Sequence, residues 1–92
     1  AADLELQKVE QLGGLALAIF DRVAKTEGPA RGLFSVEAAG AYAEAIGREV
    51  RVEEIQPVVN DLLAANVLMR LGHGLYGVTD PFVQDIWRER HP

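Results

Sequence analysis

A chain of 92 residues, 49% hydrophobic and 25% charged, suits one globular domain. It has no run of 18 apolar residues, so no membrane-spanning helix is expected, and the absence of cysteine excludes disulfides and thiolate chemistry. Nine Lys and Arg against 14 Asp and Glu leave a net charge of −5, which opposes phosphate binding and shifts expectation towards a protein partner. Ala1-Ala2-Asp3-Leu4-Glu5 lacks the basic and apolar stretches of a signal peptide, making cytoplasm the expected compartment.

Residues 3 to 26 are predicted as helix in two pieces. Leu12, Leu15, Ala16, Ile19, Phe20 and Val23 recur at the spacing of one apolar helical face. Gly13-Gly14 weakens the helix by roughly 1 kcal/mol per glycine, so a break is expected there. Residues 1–11, with Leu4, Leu6 and Val9, read as a linker or helix extension, and residues 12–92 as the domain proper. The Gly-Pro pair of Glu27-Gly28-Pro29-Ala30-Arg31-Gly32 marks a loop, and Leu33-Phe34 is expected to form a short bridging strand.

Ser35 is placed to cap the next helix through its hydroxyl, with Glu37 in the first turn and Gly47 just past the end. Val36, Ala39, Ala43 and Ile46 are its expected inner face. Arg48-Glu49-Val50-Arg51 turns into a third helix from about Val52 to Ala65. At 100° per residue, Ile55, Val59, Leu62 and Asn66 fall on one side and Glu53, Pro57, Asn60, Asp61 and Ala64 on the other. Pro57 lies near the first turn and points outwards, where its missing amide does least harm. Val67 to Val78 reads as two short strands folded around Gly72-His73-Gly74. Asp80 then caps a last helix, Pro81 is preorganised for its first position, and Phe82, Val83, Ile86 and Trp87 form an apolar stripe.

Helix, short strand, helix, turn, helix, two-stranded wing, helix: this order resembles the winged helix-turn-helix fold, mainly α with a small β-hairpin wing. The run Ile55-x3-Val59-x2-Leu62-Leu63-Ala64-Ala65-Asn66-Val67-Leu68 resembles its third helix and exit, with Asn66 where glycine is usual. Leu75-Tyr76-Gly77-Val78-Thr79-Asp80-Pro81-Phe82-Val83-x3-Trp87 resembles the close of the winged-helix domain that follows the nucleotide-binding core in archaeal-type and STAND-class ATPases. The resemblance implies a piece of a larger ATPase, one that packs against the core and reports nucleotide state or binds a partner. The chain itself has no Gly-Lys pair, hence no phosphate-binding loop, and no cofactor is expected.

Gly72-His73-Gly74-Leu75-Tyr76-Gly77 matches G-x-G-x-x-G, but strand-like residues follow where a dinucleotide site needs a helix. Turn geometry accounts for the glycines better. His73 and His91 are isolated and lack metal-ligand spacing. Ser35 is better explained as a cap than as a nucleophile, and no catalytic constellation stands out. Trp87 and Tyr76 are read as core rather than as anchors for a partner.

The outward face of the third helix decides most about nucleic acid. Arg or Lys there would read guanine, and Asn or Gln adenine. From Val52 to Ala65 there is no Lys or Arg, while Glu53, Glu54 and Asp61 would be repelled by phosphate. The expectation is a non-catalytic module contacting a protein, the rest of its own parent chain or a second copy. Its candidate interaction face is Glu53, Pro57, Asn60, Asp61 and Ala64. In the alternative, a sequence-specific DNA-binding domain, Gln56 and Asn60 read bases while Arg48, Arg51, Arg70 and His73 hold phosphates. Arg31 is a further scattered cation, set among many carboxylates.

Overall fold

The expected break falls at Gly13, whose φ of 102° is one that side-chain-bearing residues rarely adopt. In the computed structural model, which describes residues 2–92, it separates α1 (Ala2–Gln11) from α2 (Gly14–Ala24). There follow α3 (Val36–Ile46), a 3₁₀ turn (Val52–Glu54), α4 (Ile55–Ala64), β1 (Leu68–Gly72), β2 (Leu75–Val78) and α5 (Pro81–Arg90). The molecule is therefore mainly helical with one antiparallel hairpin. Among the described residues no helix is long and apolar enough to cross a membrane.

The ends of these elements are set by local chemistry. Ser35 Oγ accepts from the Ala38 amide at 3.0 Å, and Asp80 Oδ1 from the Phe82 amide at 2.9 Å. Gly47, at φ 75°, closes α3. Asn66, at φ 62°, is the one side-chain-bearing residue with positive φ among those described, and it closes α4. There the Val67 amide donates to Leu62 O at 3.2 Å and the Asn66 amide to Leu63 O at 3.0 Å, the paired bonds of a Schellman motif. Gly74, at φ 70°, lies in the hairpin turn, with Gly72 and Gly77 in the strands beside it.

One apolar core joins the elements. Ile19, Phe20 and Val23 from α2 meet Ile55, Val59 and Leu62 from α4 and Leu68 from β1. Burial of each such side chain is worth roughly 1.5–3 kcal/mol. Leu6 and Val9 enter the same core, so α1 is packed into the fold rather than trailing from it, while Leu4 is 60% exposed. Phe20 meets Trp87 edge to face at 5.1 Å, and Trp87 Nε1 donates to Asp21 Oδ1 at 2.9 Å. Trp87 and Tyr76 are both buried. Gln84 donates to Ala24 O at 3.0 Å, Arg88 Nε donates to the same oxygen, and Arg88 Nη2 to Thr26 O at 3.0 Å. These bonds tie α5 to the carbonyl end of α2, where a cation is favoured.

Three expectations need correction. Leu33 and Phe34 form a turn, not a strand; the bridge to the hairpin is made by Ala30, paired with Tyr76 through bonds of 2.8 and 2.9 Å. Leu33 is instead buried as a core side chain. The inner face of α3 is Ala38, Ala39 and Tyr42, with Ala43 and Ile46 at its margin, and Val36 is 80% exposed. The helix turns to bury the Tyr42 ring, the largest side chain it has to hide, while alanines tolerate either setting. Phe82 also leaves its expected stripe and is 62% exposed, because α5 faces the core with Val83 and Trp87, flanked by Ile86.

Candidate interaction surface

The approach to α4 is held by Glu54. Its Oε2 accepts the Arg51 amide at 2.9 Å and its Oε1 the Arg48 guanidinium at 3.1 Å. The Arg51 amide, above all, and then the Arg48 and Arg51 charges hold the Glu54 carboxyl below its usual range. Arg48 also donates to Glu49 O at 2.8 Å, and Arg51 lies 3.9 Å from Glu53. Both arginines thus face carboxylates.

Beyond this corner, α4 buries Ile55, Val59 and Leu62 and turns Pro57, Asn60, Asp61 and Ala64 to solvent, with Glu53 exposed just before it. Gln56 and Asn60 are also exposed, and they bond to each other, Nε2 to Oδ1, at 3.0 Å. Each amide group therefore already has one of its polar atoms engaged. Arg70, on β1, is exposed and has no carboxylate partner among the described residues; His73 sits exposed in the hairpin turn. No hydrogen bond or ion pair joins either of them to α4. Of the six side chains named for the nucleic-acid alternative, Gln56 and Asn60 come together, Arg48 and Arg51 are drawn towards glutamates, and Arg70 and His73 stand on the hairpin. Arg31 is exposed in the loop after Ala30.

The outer face of the hairpin is apolar, a feature absent from the sequence-based expectations for this element. Met69 stands opposite Gly77, and Leu71 folds over Gly77, so that a Cβ there would meet Leu71 Cδ1 at 2.8 Å. Met69 and Leu71 remain 39% and 44% exposed. Strand alternation was the available signal: Tyr76 and Val78 face inwards, so Leu75 and Gly77 must face out.

A groove of about 970 Å³ lies elsewhere, between α1, α2, α5 and the C-terminal end of α3, and no residue of α4 or the hairpin lines it. Among the described residues no three His, Asp or Glu side chains converge to hold a metal ion. Neither a family model, nor a curated protein, nor a solved structure matches the chain.

Proposed function

We propose that the chain is a winged-helix domain working as a non-catalytic docking or regulatory module, within a larger ATPase-type protein, through the outward face of α4. Element order, the Asn66-closed α4 and the glycine-tipped hairpin support the fold reading. One observation carries the functional reading: the face that would enter a groove of DNA displays Glu53 and Asp61 and no cation. The arginines nearest in sequence, Arg48 and Arg51, are already opposed by Glu54 and Glu53. Such a surface repels phosphate and suits a protein surface carrying lysine or arginine.

The DNA-binding reading keeps Arg70, Gln56 and Asn60 in its favour. Titration with mixed-sequence duplex DNA at low salt separates the two. The docking reading expects no binding. Micromolar affinity that falls steeply with salt and is lost in Arg70→Ala would overturn it. In the intact protein that carries this domain, Asp61→Lys is expected to alter regulated activity while leaving the domain's own unfolding midpoint unchanged. An unchanged activity would count against the α4 face.

A further inference from the structure

The groove among α1, α2, α3 and α5 has a floor of half-buried Leu17 and Ile46 above the buried Leu6 and Trp87, with the His91 ring stacked on Trp87 at 3.8 Å. It stays open because its α2 and α3 walls carry small residues. Gly14, Ala18 and Ala45 stand where longer side chains would fill it, and even a Cβ on Gly14 would meet Ile46 at 3.7 Å. The rim is acidic. Asp3, Glu10 and Asp21 line it against the His91 imidazole and the guanidinium of Arg90, which is already bound to Asp3 at 3.2 Å. Asp21 is held by Trp87 Nε1 and by Lys25 at 3.0 Å. Glu10 is exposed and has no cationic partner among the described residues.

We propose that this groove receives an amphipathic helix of a protein partner, its apolar ridge on the floor and its lysines or arginines against the Glu10 rim. Walls made of helices accept a helical ridge at i, i+3, i+4 and i+7 spacing, the usual form of helix-in-groove recognition. Glu10, the one rim carboxylate not already opposed by a cation among the described residues, selects a cationic helix, and the net charge of −5 steers one towards the protein. The site is separate from the α4 face and does not depend on it.

Trp87, the only tryptophan, lies buried beside the groove under the stacked His91 ring, so a helix seated there changes the surroundings of its fluorescence. The probe is a synthetic peptide of about 14 residues with leucines at that spacing and lysines elsewhere. Controls are a peptide with glutamate for each lysine and one of scrambled order. The expected result is a saturable shift of Trp87 emission with the lysine peptide alone, weakened by salt. Glu10→Lys should weaken binding by roughly fivefold. Ala45→Phe, at an exposed position on the groove wall, should abolish it with an unchanged circular dichroism spectrum. Asp61→Lys should leave it unaltered, and failure of the α4 reading would not move these results. The proposal is overturned by equal binding of either control peptide or by indifference to Glu10→Lys and Ala45→Phe. Loss of binding in Asp61→Lys, or a dimer in sedimentation with concentration-dependent Trp87 emission and no peptide, would overturn it as well.

Discussion

Tyr42 shows how much a single side chain does here. Its hydroxyl donates to Leu33 O at 3.0 Å inside the core, fastening the turn before α3 to the helix itself. Burial pushes its pKa up to about 12, against a smaller opposing pull from Arg22. An acid whose folded pKa is raised contributes stability that is complete below the unfolded pKa of about 10 and is lost as pH rises through the folded value. Tyr42→Phe is therefore expected to lower neutral-pH stability by about 1 kcal/mol through the lost bond. It should also remove the fall in stability between pH 10 and about 12, measured by urea unfolding across that range. Asn66 is the second such residue. Its positive φ costs an ordinary side chain roughly 1 kcal/mol, so Asn66→Ala should destabilise by about that much, whereas Asn66→Gly should be neutral or slightly stabilising.

At the level of elements, the junctions deserve most weight, because short helices in a small domain depend on what happens at their ends. Arg88 joins α5 to the closing carbonyls of α2. Arg88→Ala should lower stability by roughly 1.5–3 kcal/mol, the range for bonds to a charged group, while Arg90→Ala, whose partner Asp3 lies at the surface, should change it by less than about 1 kcal/mol. Glu54 organises the entry to α4. Its carboxyl is held low, so its contribution is present above the unfolded pKa and lost as pH falls through the folded one. Glu54→Gln should accordingly be less stable than the parent at neutral pH, with the gap closing in acid.

For the molecule as a whole, α1 is the test of where the domain begins. It places Leu6 and Val9 in the common core and also forms one wall of the groove that contains Trp87. Deletion of residues 1–12 should lower the melting midpoint by well over 10 °C, because two buried side chains are lost and the surfaces they cover become exposed. Trp87 emission should move to the red in the same variant. An unaltered midpoint would make α1 a dispensable extension. The distribution of charge works at this scale too. With Arg48 and Arg51 opposed by glutamates, Arg70 and Arg31 are the exposed cations left without a carboxylate partner among the described residues, a sparse set for a phosphate backbone.

The amino-acid order by itself determined the helix breaks, the caps and the hairpin. Gly13, Ser35, Gly47, Asn66, Gly74 and the Asp80-Pro81 pair act on their own few residues of backbone, and such local effects can be read one residue at a time. It also determined the buried and exposed sides of α4, where Ile55, Val59 and Leu62 leave one choice of face, and hence the setting of Glu53, Pro57, Asn60, Asp61 and Ala64. Only the tertiary structure decided the rotation of α3, the placing of the bridge to the hairpin at Ala30, the exposure of Phe82 and the packing of α1. In α3 the many alanines give no strong preference, and Tyr42 settles the matter through a carbonyl nine residues away. The groove lay beyond sequence reading for the same reason: its walls come from four helices, and its openness follows from how their small residues meet in space.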